Sequence, residues 1–315
     1  MIDCFAQQPG ASKHEARCWT PLPGGAIANV ACGLVKLGSE ADFMGALSCD
    51  AWGDALMKLL SDMGVGRAGV QRRLKAPTRQ VYIAKDARGD YTFEGFSEDD
   101  PAAFADAHLF ADSIPSACFV VADFLILGTL SLAYADTRQS VRHSVGLARS
   151  HQVPILVDVN WQAMFWPQPR EAPGYIYDLL KAVQFLKVSA READWLFGTR
   201  SPAAIACQFP HLKGVLMLTE GKGCHYEFRG IGGYVPEFEV DIEEMTGAND
   251  AFVAGFVHQL MNRGLSCLSD AQSVNDIVVY ASAVSALTKT RPGAIAAFPT
   301  PKEVEVFLYL NSQPL

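Results

Sequence analysis

At 315 residues, half of them apolar and 19% charged, the chain is long enough for one large buried core and too apolar to be disordered. Its net charge of −8, with no basic cluster beyond Arg72-Arg73-Leu74-Lys75, argues against a nucleic-acid partner. Eight scattered cysteines without a C-x-x-C pair read as reduced thiols of an intracellular protein, and seven histidines without ligand spacing argue against a structural zinc site.

No signal peptide is legible at Met1-Ile2-Asp3, and the most apolar window, Cys118 to Ala135, is broken by Asp123 and Gly128, so a soluble, cytoplasmic chain that does not enter the membrane is expected. Ile2 to Phe5 reads as the tail of a strand, followed by the polar Gln7 to Glu15 with a turn at Pro9-Gly10. Gly24-Gly25 opens a helix whose apolar face runs through Ile27, Val30, Ala31, Leu34 and Val35 and which ends at Leu37-Gly38. The double glycine lets a small ligand approach the backbone, and the Asn29 amide suits vicinal hydroxyls; a plain loop-to-helix junction accounts for the same residues. Ala41 to Gly45 is a short strand and Ala51 to Met63 a helix ended by Gly64. Thr78 to Ala84 and Asp90 to Phe96 read as paired strands around a turn at Asp86 to Gly89. Phe93 and Phe96 on this hairpin either wall off water as a lid or serve a core or dimer contact.

From Phe124 strand and helix alternate: strands at Phe124 to Leu127, Pro154 to Val157, Phe185 to Val188 and Val215 to Leu218, with helices at Tyr134 to Ser150, Gly174 to Ala182 and Ala190 to Phe197. This is the pattern of a doubly wound parallel sheet, whose ligands lie beyond the carboxyl ends of its strands. Asp158 and Asn160, Ser189 and Glu192, and Thr219 with Gly221 and Gly223 each follow an apolar strand, where a phosphate and its metal would be held. Singly, each is equally well a loop residue.

Thr246-Gly247-Ala248-Asn249-Asp250 then precedes an apolar face of Phe252, Val253, Phe256, Val257 and Leu260, so a tight turn opens a helix here, and its first-turn amides make an anion site. A carboxylate in that turn, Asp250, is suited to take a proton from an attacking hydroxyl; the alternative is that it only complements the helix dipole. The pattern G-x-x-x-x-G-K-[ST] is absent, which leaves this turn as the anion cradle. A helix from Val278 to Thr288, a turn at Arg291 to Ile295 and a closing helix from Pro299 complete the chain.

GGAIAN at Gly24 to Asn29, DVN at Asp158 to Asn160, S-x-x-E at Ser189 to Glu192, TEGKG at Thr219 to Gly223 and TGANDAF from Thr246 together resemble the PfkB carbohydrate kinases, also called the ribokinase-like family, and most of all its fructokinases. The resemblance spans nearly the whole chain. It implies a single ribokinase-like α/β domain over residues 1–315, a doubly wound, mostly parallel sheet with a small β lid from about residues 4–20 and 78–97. It implies transfer of the γ-phosphate of ATP to a sugar hydroxyl, with Asp250 as general base and Gly247, Ala248 and Asn249 as anion hole. The sugar would lie at Asp3, Gly24, Gly25, Asn29, Phe93, Phe96, Asp158 and Asn160, and ATP at Ser189, Glu192, Thr219, Gly221, Gly223, Thr246 and Ser282. Glu192 would meet Mg2+ through water, Glu244 would stand at a monovalent-cation (K+) site, and the lid would be the surface of a homodimer. Sugar and ATP are the implied partners, with no nucleic acid and no membrane.

Departures from the family pattern D-T-x-G-A-G-D are Glu244 for the first aspartate, Met245 for the threonine and Asn249 for the second glycine, which alters the anion hole. Gln162 stands where fructokinases carry an arginine, Ser189 and Ser282 replace asparagines, and the TEGKG turn is one residue short. The family's first strand, ahead of Asp3, is almost wholly missing, so an added apolar strand is expected to stabilise the sheet. These substitutions leave a second reading beside the kinase, a non-catalytic relative with a binding or regulatory role. A nucleoside kinase of the same fold is a third reading, and no G-x-G-x-x-G follows a first strand to support a dinucleotide-dependent oxidoreductase.

Overall fold

The computed structural model describes residues 1–8, 13, 15–85 and 91–311, and the counts of strands and helices are of those residues. In chain order the elements are β1 (Ile2–Ala6), β2 (Trp19–Pro23), α1 (Ala26–Lys36), β3 (Asp42–Ser48), α2 (Ala51–Asp62), β4 (Gly66–Arg73), β5 (Gln80–Lys85), β6 (Tyr91–Phe96), α3 (Ala117–Val121), β7 (Leu125–Gly128), α4 (Ala135–Ser150), β8 (Ile155–Asp158), α5 (Ala172–Leu180), β9 (Phe185–Ser189), α6 (Ala190–Phe197), α7 (Pro202–Gln208), β10 (Gly214–Thr219), β11 (Gly223–Phe228), β12 (Ile231–Pro236), α8 (Ala248–Arg263), α9 (Ala271–Lys289) and α10 (Pro301–Asn311). The turns expected at Pro9-Gly10 and Asp86 to Gly89 lie outside the described residues.

Strands β7, β8, β9 and β10 pair in parallel, and β11 and β12 extend the sheet antiparallel, in the order β12-β11-β10-β9-β8-β7. Strand β8 and the first four residues of β9 and of β10 are buried on both faces, as strands of a covered parallel sheet must be. One face packs on α1, α8 and α9 through Val30, Phe252, Phe256 and Ile277, the other on the α4 to α6 side through Val141, Ile176 and Leu196. The doubly wound α/β expectation is thereby met.

A second sheet, ordered β2-β1-β5-β6, is set apart from the first. Its foot is pinned by Arg79, 1% exposed, whose guanidinium donates to Asp106 at 2.7 and 2.9 Å, to the Pro101 carbonyl at 2.9 Å and to the Tyr134 hydroxyl at 3.1 Å. The expected hairpin is thus half of a four-stranded sheet. Strand β1 belongs to it, pairing with both β2 and β5.

Strands β3 and β4 form a parallel pair of their own. Phe43 and Leu47 of β3 join the same core as Phe124 and Ile126, while Met44 joins the same core as Leu125 and Leu127. The edges of β3 and β7 therefore belong to one layer, yet they do not pair with each other among the described residues.

Candidate functional site

The four parallel strands end, in turn, at Gly128, Asp158, Ser189 and Thr219, along one rim of the sheet. Helix α8 begins with Gly247 at φ +79°, and a Cβ there would stand 2.7 Å from the Cβ of Ala294, so both the turn and its packing on the 291–295 segment require glycine. The Ala248 amide bonds back to the Met245 carbonyl at 3.3 Å, which removes it from the expected anion hole. The amides of Asn249 and Asp250 belong to the first turn, which a helix cannot satisfy internally, and they point out of its positive end.

Asn249 is exposed and helical, not in the left-handed region, so the turn does not require glycine's positive φ at this residue. Glu244 holds the 291–295 turn, its Oε2 accepting from the Gly293 amide at 2.8 Å.

Asp250 is 7% exposed and faces α1, where the Asn29 amide donates to its Oδ2 at 2.8 Å. The other end of that amide, Asn29 Oδ1, is buried and has no partner among the described residues. Burial pushes the Asp250 carboxyl up to about 7; the Asn29 bond and Lys187 pull against that, and Asp158 and Asp3 add to it. Asp3 on β1 lies close by, its carboxyl raised by burial to about 6. The Asp3 carboxylate sits against Gly24, where a Cβ would come within 2.0 Å of Oδ2, and Gly25 at φ +123° caps α1. Residues from both ends of the chain thus meet around one carboxylate.

Asp158 is buried against Lys187, with 2.9 Å between Nζ and Oδ1, and its side chain is 2% exposed, so it has no open face for a sugar. Asn160 turns the chain at φ +34°. Ser189 and Glu192 form a capping box on α6: Ser189 Oγ accepts from the Glu192 amide at 3.2 Å and Glu192 Oε2 from the Ser189 amide at 2.7 Å. Glu192 Oε1 takes the Trp161 amide at 2.7 Å. Thr219 to Gly223 is the tight turn of the β10–β11 hairpin, with Gly221 at φ +67° and Gly223 pressed on the Val235 carbonyl. Thr246 and Ser282 are half-buried, and no hydrogen bond joins Ser282 to the others among the described residues. Phe96 is 8% exposed and packs on Phe104 and Phe165, a core contact more than a wall, while Phe93 beside it is 37% exposed. A hollow of about 320 Å³ lined by His108, Asp136, Arg138 and Tyr175 lies apart from all these groups.

Lys187 is the site residue that sequence reasoning missed. The signal was present, a lysine within the apolar run Phe185-Leu186-Lys187-Val188.

A doubly wound sheet with a helix amino terminus and an ionisable carboxylate at its strand ends is the architecture of a small-molecule phosphotransferase. The chain belongs to the pfkB carbohydrate kinase family: the description "pfkB family carbohydrate kinase" matches residues 1–301. It is 31% identical to fructokinase-1 of Zea mays over 96% of this chain and 94% of that one, and 30% identical to fructokinase-1 of Oryza sativa subsp. japonica over 99% and 95%. It superposes on the fructokinase of Xylella fastidiosa with bound ATP at a TM-score of 0.89 and 26% identity, covering 99% of this chain and 97% of that one. The fold also matches the fructokinase of Vibrio cholerae O395 in its fructose-, ADP- and calcium-bound form, at a TM-score of 0.83 and 24% identity over 98% and 96%. The fold is ribokinase-like and the enzyme a sugar kinase that uses ATP. Among the described residues no helix is long and apolar enough to cross a membrane.

Proposed function

We propose that this sugar kinase phosphorylates fructose, with Asp250 as general base. The observation that carries the reading is the buried carboxylate at the amino terminus of α8, poised near pH 7 and held by the Asn29 amide. A base is most effective when its pKa lies near the working pH. The sugar hydroxyl gives its proton to Asp250, its oxygen forms the bond to the γ-phosphorus, and the bond from that phosphorus to the β–γ bridging oxygen breaks, leaving ADP. The amides of Asn249 and Asp250 meet the phosphoryl oxygens as charge develops there. Asn29 Oδ1, otherwise orphaned, accepts from a second sugar hydroxyl, and Asp3 and the Gly24-Gly25 backbone hold the same end of the sugar.

Phosphate and metal belong at the rim formed by Ser189, Glu192, Thr219 and Thr246. Both Glu192 oxygens already accept backbone amides, so its remaining lone pairs suit the water shell of Mg2+. Mg2+ held there through water would supply positive charge to offset that of the phosphates. Glu244 is committed to Gly293, which weighs against a K+ site there. The four-stranded sheet acts as the lid, its half-exposed Phe93 marking the face of a homodimer. Eight free thiols among the described residues suit the cytoplasm.

The non-catalytic reading rests on several substitutions together, and one of them, Asn249, is exposed and helical and imposes no unusual backbone on the turn, which supports the kinase reading. ATP consumption measured against fructose, ribose and adenosine tests the assignment. Turnover with fructose above the other two is expected; turnover with none of them removes it.

A further inference from the structure

The one basic run of the sequence, Arg72-Arg73-Leu74-Lys75, closes β4 and continues beyond it. The fold sets all four of its residues around an open hollow of about 470 Å³, whose wall is completed by His108, Phe110 and two alanines. No carboxylate lines this hollow among the described residues, although the chain as a whole carries a net charge of −8. None of its residues belongs to the groups around Asp250 or to the strand rim.

The three cations are committed to different degrees. Arg72 donates to the Ser48 carbonyl at 2.8 Å and is paired with Asp54, which stands outside the lining. Arg73 Nε donates to the His108 carbonyl at 2.5 Å, its Nη atoms donate to the Arg72 carbonyl and to Gln71, and its guanidinium lies 4.1 Å from the centre of the Phe110 ring. Three of the five guanidinium N–H groups are thereby used and two are left. The carboxylate that acts on Arg73, Asp136, is bonded to His108 Nδ1 at 3.0 Å and also lies outside the lining. Lys75 is exposed and has no hydrogen bond or ion pair among the described residues. Like charges set within four positions of one another repel, so the hollow holds positive charge that the protein itself leaves unanswered.

We propose that this hollow is a second ligand site, which binds a phosphate monoester of metabolite size. A phosphate carries close to two negative charges at neutral pH and three acceptor oxygens, which the spare Arg73 N–H groups and the Lys75 ammonium answer together. The volume lies in the range of small-molecule sites, so a body attached to the phosphate has room, and the Phe110 ring and Leu74 give that body an apolar wall. The inference does not depend on which sugar the kinase phosphorylates, nor on the role of Asp250.

The test follows His108, whose ring reports on the hollow, in protein carrying ¹³C-labelled histidine, its resonance assigned as the one missing from His108→Gln. D-glucose 6-phosphate and adenosine 5′-monophosphate are the two esters titrated, one with a sugar body and one with a nucleoside body. A saturating shift of the His108 resonance with either ester supports the proposal, with inorganic phosphate about tenfold weaker for want of a body and D-glucose without effect. Lys75→Glu, a change at an exposed residue without partners, keeps the wild-type melting temperature and weakens the ester by about tenfold or more, while Lys75→Arg stays within about threefold of the wild type. Added salt weakens binding in the wild type, since the charges lie open to solvent. No shift with either ester overturns the proposal. So does a shift of unchanged midpoint in Lys75→Glu, which would place the ester elsewhere, or inorganic phosphate equal to both esters, which would leave a bare anion hole. No turnover is needed, so a protein inactive on every sugar offered would sink the kinase reading and leave this test intact.

Discussion

The two ends of the cleft differ in how far local structure accounts for their residues. At the Thr219 to Gly223 and Ser189 to Glu192 end, the singled-out residues have a conformational duty: two glycines make a hairpin turn and S-x-x-E makes a capping box. At the Asp3, Gly24, Asn29 and Asp250 end the conformation would stand without the chemistry. Two carboxyls are lifted by burial to about 6 and about 7, and an amide oxygen is left without a partner. A fold tolerates such groups only at a cost, so their presence argues for a ligand more strongly than a motif does.

The sharpest way to break this comparison is Asp250→Asn. Phosphoryl transfer is expected to fall by about 10²–10⁴ in kcat, since an amide cannot take the proton. Stability should move the other way. A carboxyl whose folded pKa lies near 7, above its unfolded value, favours the folded state at low pH, and that advantage is lost as pH rises from the unfolded value through 7. The variant should therefore gain in melting temperature over the wild type at pH 8 and show little gain at pH 4. Near-wild-type turnover would reduce Asp250 to a partner of the helix dipole.

Next in size is a contrast between glycines. Gly24→Ala drives a methyl into the Asp3 carboxylate, 2.0 Å away, and should raise the sugar KM by about tenfold or more while the KM for ATP holds. Gly221→Ala has open space around it but must adopt φ +67°, so its expected effect is about 1–2 kcal/mol of stability, read by denaturant melts. A rise in the KM for ATP in Gly221→Ala would show that the hairpin turn has more than a local duty.

An apolar segment of roughly 5–6 residues added ahead of Met1 should pair with the edges of β3 and β7 that are unpaired among the described residues, and raise the melting temperature. No rise would mean that those edges are closed in some other way. The smallest effect is expected of Asn249→Gly. On an exposed first-turn position it should cost up to about 1 kcal/mol of helix stability. Its kcat should stay within about twofold, because the residue is exposed and already helical, so glycine changes little in the turn's backbone. A large gain in kcat would revive the altered anion hole.

The parallel core was legible because β8 is apolar up to Asp158 and β9 apolar but for Lys187 up to Ser189, between helices of clear period, and the amino terminus of α8 because glycine and the apolar stripe coincide. Strands β11 and β12 were not foreseen, although Cys224, Tyr226 and Phe228 alternate with His225 and Glu227 and are buried in that alternation. Here a motif reading of the preceding turn displaced a periodicity that was present. Strand β4, GRAGVQRR, carries no such alternation; its partner β3 decides it. Helix α9 starts at Ala271, not Val278, because Asp270 caps it by accepting from the Ser273 amide at 2.8 Å. The pairings of Asn29 with Asp250 and of Asp158 with Lys187 were beyond reach, since both are set by tertiary neighbours and one sequence carries no record of which strand lies beside which.

The hydrogen bond from Asn29 to Asp250 spans 221 positions of the chain. On a ribosome adding about 5–20 residues per second, roughly 10–40 s pass between the emergence of the amide and that of its carboxylate. Until then α1 carries a polar group whose destined surroundings are apolar and incomplete. The site is therefore among the last parts of the molecule to close, and a chain stopped short of α8 would expose a face of α1 suited to chaperones instead of a weakened enzyme.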